Sequence, residues 1–486
     1  MPTKLLLSLA LLSVLTSASF GADDADIADD LSGFESEDDS SEDDLGFDDL
    51  DGFGDDADTE EEATLTLESE EVAERPSPLS LSGNVAFKSA FGYKNHNVDG
   101  VEYQGFNQAQ SALYLQADYK ISKDWKVRVS GDAFYDALYD LNNKDYNQDV
   151  LDTYQTQLRL DDTYIVGSIT KSLDVKIGRQ IVVWGKSDSI RITDVINPLD
   201  NRLPAMTDIE DLRLPTGMLK LDYYLGSWNL SAMAIAESRI FLEAAPYGEY
   251  FPVNNVFPTA PKPFFDLEQP STSWENMQYA FAANGVFSGW DLSFYAADVY
   301  DSKWHLELVN GAPKRVVSKI KMLGTATNIA LGSWLIKAEG AFINGVRYNA
   351  TLDAKDRLDL LVGADYMGFS DTVLSFEVSN RHIFDYEKKM GDHTTPKPDY
   401  IDKDEMQTAL RATRSFSNDT INTTALLSMF GQSWEYGGFA RVWTEIELMD
   451  ALNANIGIVD YIGGDKPFTE AIKNNDRVFA DITYSF

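Results

Sequence analysis

The last eleven residues, Asp476 to Phe486, read DRVFADITYSF and constrain this chain more than any other stretch. Side chains alternate along an extended strand, so Val478, Ala480, Ile482, Tyr484 and Phe486 share one face, and Arg477, Phe479, Asp481, Thr483 and Ser485 share the other. One face is apolar and aromatic, the other mostly polar. A tilted strand of about ten residues crosses the hydrocarbon of a membrane and leaves a terminal ring at headgroup level. The stretch is suited to be the closing strand of a transmembrane β-barrel, and earlier segments should then repeat its two-residue period.

They do. Leu79, Leu81, Val85, Phe87, Phe91 and Tyr93 alternate with Ser80, Ser82, Asn84, Lys88 and Lys94. Leu113, Leu115, Ala117, Tyr119 and Ile121 oppose Gln116, Asp118 and Lys120; Trp125, Val127, Val129 and Tyr135 oppose Lys126, Arg128, Ser130, Asp132 and Asp136. The same reading places strands near 154–167, 173–185, 217–225, 228–238, 277–287, 290–300, 315–331, 334–344, 357–367, 372–381, 405–416, 420–430, 435–447, 451–461 and 476–486, for 18 in all, with 16 as the alternative count. Short connections alternate with long ones at 186–216, 239–276, 301–314 and 382–404, the asymmetry of an all-β outer-membrane barrel. Proline cannot donate to a ladder, and all 16 prolines fall outside the strand interiors. A soluble β-sandwich would also alternate. It would not usually join this turn asymmetry to a secretion signal and an aromatic terminal strand.

That signal is Lys4 followed by an apolar run, Leu5 to Leu15, and small residues up to Ala22, so residues 1–22 are expected to be cleaved. No later segment approaches the roughly 18 apolar residues of a membrane helix. Cysteine is absent, so neither disulfides nor thiolate metal sites are expected. The net charge of −39 is concentrated: residues 23–74 hold 25 acidic side chains and no Lys or Arg. From Arg75 on, 39 basic residues face 54 acidic ones, a balance of −15, which offers nucleic acid no basic surface. Like-charge repulsion leaves residues 23–75 an expected disordered periplasmic tail, with the barrel at 76–486. The tail reads as a solvated spacer, or as an acidic string whose Leu31, Phe34, Phe47, Leu50 and Phe53 dock on a basic partner or the channel mouth.

The expected inward face carries both signs of charge: Lys126, Arg128, Asp132, Lys220, Asp222, Lys337, Glu339, Asp359, Asp365, Glu377 and Arg381, with Asn453 and Asn455. These residues line a selectivity path, pair to rigidify the wall, or do both. The 239–276 loop, with six prolines along with Tyr247, Tyr250, Phe251, Phe257, Phe264 and Phe265, reads as an inward constriction or as a packed surface loop. Asp140 to Asp149 lacks the Gly and terminal Glu of a calcium loop. The four histidines form no metal pair, and no spacing singles out a nucleophile and base, so neither enzyme activity, cofactor nor metal is expected.

One motif stands apart: Gly178, Arg179 and Gln180, then Trp184 and Gly185, then Asn197, Pro198, Leu199 and Asp200, then Leu212, Arg213 and Pro215. With the ending from Gly463 to Phe486, it resembles an uncharacterised proteobacterial outer-membrane barrel family defined by a domain of unknown function. The resemblance implies a channel or transport protein, with companions of RND-type exporters and periplasmic carriers as relatives in context. It thus implies lipid or hydrophobic-compound traffic as the alternative to a diffusion channel for small polar solutes, and a structural or adhesive surface barrel is a third reading. The C-terminal strand is similar to the signal read by the bacterial barrel assembly machinery, so that machinery and outer-membrane lipid are expected partners, and the family resemblance adds a periplasmic or RND-type transport partner. Arg179 shares the parity of Ile177 and Ile181. Either an irregularity at Gly178 turns it inward toward Asp161, Asp200 or Asp211, or it snorkels to the headgroups.

Overall fold

The computed structural model describes residues 77–392 and 399–486, so the expected signal and acidic tail lie outside the described residues. Eighteen antiparallel strands form one sheet: β1 (Leu79–Gly92), β2 (Gly105–Ser122), β3 (Trp125–Asp136), β4 (Thr156–Thr170), β5 (Leu173–Gln180), β6 (Thr216–Leu225), β7 (Trp228–Ile235), β8 (Gln278–Phe287), β9 (Trp290–Tyr300), β10 (Lys319–Leu331), β11 (Trp334–Val346), β12 (Lys355–Phe369), β13 (Thr372–Ile383), β14 (Asp404–Phe416), β15 (Ile421–Phe430), β16 (Gly438–Met449), β17 (Leu452–Ile462) and β18 (Arg477–Ser485). Each pairs with its neighbours in sequence, and β1 also pairs with β18 over Asn84↔Ser485 to Gly92↔Arg477, which closes the barrel. Closure leaves no edge strand, the condition for a sheet in hydrocarbon.

Tight turns at 123–124, 171–172, 226–227, 288–289, 332–333, 370–371 and 450–451, with a longer one at 417–420, join the strands at one end. The opposite end carries every long connection, of which 181–215 and 236–277 are the largest. Large apolar side chains stay exposed on the outside: Leu81 at 68%, Leu115 at 48%, Phe281 at 55% and Ile482 at 42%. A soluble surface rarely leaves so much apolar area wet; hydrocarbon removes that cost. Tyr223, Trp290, Trp334, Phe369, Phe416 and Tyr484 are exposed within a few residues of the tight-turn end and form an aromatic girdle there. This is an outer-membrane β-barrel.

Two sequence expectations need correction. The fifth strand, expected over 173–185, leaves the ladder at Gln180, because Val182 gives its N–H to the Asn197 side chain. The inward face is also not polar all round. From β6 to β13 it buries Met218, Met233, Ala280, Ala297, Met322 and Ile343, against which Trp184, Ile190, Ile192 and Ile196 pack. Alternation puts one face in and one out, but it cannot say that part of the inner face is covered by the chain's own loop.

Candidate functional site

The segment between β5 and β6 folds into the lumen, and its neck is built from motif residues. Asn197, fully buried, accepts from Val182 N (2.8 Å) and donates to Gln180 O (3.1 Å) and Leu214 O (2.8 Å). The backbone on either side runs antiparallel, with Leu214 N donating to Pro198 O (2.8 Å), Asp200 N to Leu212 O (2.7 Å), and a bridge between Leu199 and Arg213. Gln180, also fully buried, donates to Met218 O on β6 at 3.3 Å. One amide side chain thus ties both ends of a long excursion together. Deeper in, Arg213 donates to Asp194 (2.9 Å), and Arg239 donates to Pro215 O (2.5 Å).

The first half of the segment is held on β11 and β13. Trp184 stacks on Tyr295 with ring centres 4.7 Å apart. Gly185 follows at φ +95°, and a Cβ there would meet the Glu339 carboxylate at 2.9 Å, so glycine answers both the backbone sign and the space. Glu339 accepts from Lys186 N (2.5 Å), Ser187 N (2.8 Å) and the Thr193 hydroxyl (2.8 Å). Glu377 accepts from Asp188 N (2.7 Å) and Ser189 N (3.1 Å). Consecutive N–H groups turned toward carboxylates make a nest, here filled by the wall. Lys337 bridges Asp188 to Asp365, the latter at 2.7 Å, and Arg381 donates to Arg191 O (3.1 Å).

The second half reaches the opposite wall. Arg202 pairs with Asp200, Tyr461 on β17 donates to Pro204 O (2.5 Å), and Asp208 pairs with Arg441 on β16 and with Arg411 on β14 (2.9 Å). The segment therefore crosses the lumen. Over it lies the 236–277 loop, whose Leu242–Glu243 run parallel to Asp200–Asn201. Its Glu249 meets Arg477 of β18 at 2.8 Å, and Tyr250 is fully buried against Tyr461. Phe257 and Phe264 pack on Trp304, Phe251 packs edge-on against both of those rings, and Arg315 stacks over Phe264 and Trp304. That loop, read as constriction or surface packing, meets the inner wall at Glu249 and Tyr250 and packs on neighbouring outer residues at Phe257 and Phe264, while the 181–215 segment is the one that crosses the lumen.

The expected lumen residues separate into groups. Lys337, Glu339, Asp365, Glu377 and Arg381 meet at the inward segment. Lys126 (3.3 Å) and Arg128 (2.9 Å) both pair with Asp118, while Asp132 pairs with Arg159 (2.8 Å), which also reaches Asp161 and Asp200. Lys220 pairs with Asp222 (3.3 Å) on its own strand, Arg357 holds Asp359 (2.8 Å), and Asn455 donates to Asp481. Arg179 differs from the inward expectation. Gly178 has φ +133°, yet the ladder stays in register, and Arg179 pairs with Glu237 (2.6 Å) rather than Asp161, Asp200 or Asp211. Glu237 can take it because Gly217, opposite, has no side chain in the way. Asp188, Asp208, Arg411, Arg441 and Trp443 went unselected from the sequence. Asp208 did lie in the acidic stretch beside the Leu-Arg-x-Pro motif, but its partners lie more than 200 residues away.

Between the inward segment, the overlying loop and the wall of β14 to β16 lies a cavity of about 620 Å³. Asp188, Asp208, Lys303 and Arg411 give it both signs of charge, and Tyr250, Phe251, Trp304 and Phe439 give it rings. Among the described residues no cluster of three His, Asp or Glu is arranged to hold a metal ion.

The sequence profile of a family described as protein of unknown function DUF1302 matches residues 9–486. The chain belongs to that family. Comparison with curated proteins gives no match. Among solved structures, this DUF1302 chain is similar in fold to OccAB3 of Acinetobacter baumannii, with TM-score 0.51 and 11% identity over 84% of this chain and 99% of that one. The outer membrane protein OpdK of Pseudomonas aeruginosa gives TM-score 0.48 and 10% identity, again over 84% and 99%. At such identity the likeness concerns the fold.

Proposed function

We propose that this DUF1302 barrel is an outer-membrane channel for small polar or amphipathic solutes, with the 181–215 segment as its constriction. The cavity of about 620 Å³ resting on that segment carries the reading, since it is lumenal and mixes charge with aromatic surface. Such a lining suits brief, weak contacts, which let a solute enter and also leave. A second reading, a plugged structural barrel, draws on the ion pairs that bind both loops across the lumen.

Single-channel recording in a planar bilayer separates the two. Discrete conductance steps are expected from the mature protein, with steps of equal size after removal of residues 23–74, in keeping with a spacer tail. Silence from both forms would sink the channel reading and leave the plugged barrel. Steps seen only after the deletion would assign the acidic tail to the channel mouth.

A further inference from the structure

We propose that Asp208 is a tethered stand-in for the solute: a small organic carboxylate takes its place on Arg411 and Arg441, and the tip of the inward segment is released from the wall. This rests on the channel reading and gives that channel a solute class and a moving part.

Arg441 is 4% exposed, with its guanidinium 3.6 Å from the centre of the Trp443 ring; Arg411 lies over the same ring at 5.6 Å. Among the described residues Asp208 is the one carboxylate paired with either arginine, and Arg441 Nε is buried with no hydrogen-bond partner. Two cations side by side, one of them deeply buried, hold an anion firmly because losing it leaves an unpaired buried charge. Spontaneous detachment of the tip is therefore disfavoured. A solute carboxylate offers the same planar pair of acceptors, so exchange keeps the charge-assisted bonds and removes that penalty; a neutral polyol or an amine cannot do this.

The surroundings fit an exchange. Asp208 and Arg411 both line the cavity, so a solute held there already touches the carboxylate it would displace and the first of the two arginines, with Arg441 behind Asp208. Among the described residues, Asp208 carries the hydrogen bonds between residues 207–211 and the strands. The same tip bears Glu210 and Asp211. Its departure takes three carboxylates out of the passage at once and leaves the arginines facing it. A tethered carboxylate competes at roughly millimolar effective concentration, so solute in that range is needed to displace it.

The test is single-channel recording at pH 7 in KCl with millimolar sodium gluconate or sorbitol, which are similar in size and differ in charge. Gluconate should shorten the closed intervals of the unmodified chain by roughly fivefold or more, and sorbitol should not. Asp208→Asn should lose the long closures with or without gluconate, and Arg411→Gln should lose the gluconate response. An equal response to both solutes, closures in Asp208→Asn like those of the unmodified chain, or a steady conductance without closures would overturn the latch while leaving the channel in place. Absence of conductance in every form would overturn both.

Discussion

Asn197 shows what one residue can decide. Read from the sequence it is part of a motif; in the structure it satisfies three backbone groups at the neck of a long segment, none of them its neighbour in sequence. Glu339 and Glu377 were legible as inward-facing, but not as receptors for amides some 150 and 190 residues away, because parity reports direction and not what arrives there. His96 supports a prediction at this scale. It lies in the outer loop 93–104, 8% exposed, with Nε2 3.2 Å from Glu249 O. Burial lowers its pKa below the ordinary 6.5; nearby Arg477 acts in the same direction, and Glu249 and Glu102 act against it. The folded state favours the neutral ring, so its contribution is complete above pH 6.5 and is lost as pH falls through the lower folded value. The protection factors of the amides in residues 93–104, that is, exchange corrected for its slower intrinsic rate in acid, should fall on acidification from pH 8 to pH 5, and His96→Gln should flatten that dependence.

At the scale of elements, the strands were the legible part. Each carries its own two-residue period, so 18 could be counted without tertiary knowledge, and errors gathered where strands turn into loops. The inward segment was not legible, since Val182 and Trp184 still carry the two-residue period of the fifth strand, Ile190 and Ile192 extend it by only one step, and all four find their partners across the lumen. Its position depends on the amide nest held by Glu339 and Glu377. Replacing both by Gln keeps their shape and removes two charges, and each charge-assisted bond weakened should cost about 1–2 kcal/mol. Amide exchange at residues 186–189 and 193 should then rise by one or more orders of magnitude, by roughly tenfold per 1.4 kcal/mol, while the ladders of β11 and β13 keep their protection. Equal loosening of ladder and segment would show that the carboxylates support the wall and not the segment.

For the whole molecule, closure turns a sheet into a membrane protein, and it depends on the two ends of the described chain. Phe486 exchanges two backbone hydrogen bonds with Gly83, each of 2.9 Å, one step beyond the β1–β18 ladder. Its ring lies over Gly83, near enough that a Cβ on that glycine would meet it at 3.1 Å, and the ring is otherwise exposed at the membrane surface. Phe486→Ala leaves the backbone pair intact and removes only the ring, so the closed ladder should survive the change. If the ring's main use is recognition by the assembly machinery, the folded fraction in cells should fall severalfold, read as heat-modifiable mobility on a gel, while refolding from urea into detergent should reach the yield of the unmodified chain. A parallel loss in both settings would place the ring's contribution in closure itself, because a detergent micelle contains no assembly machinery and tests only the contact with Gly83.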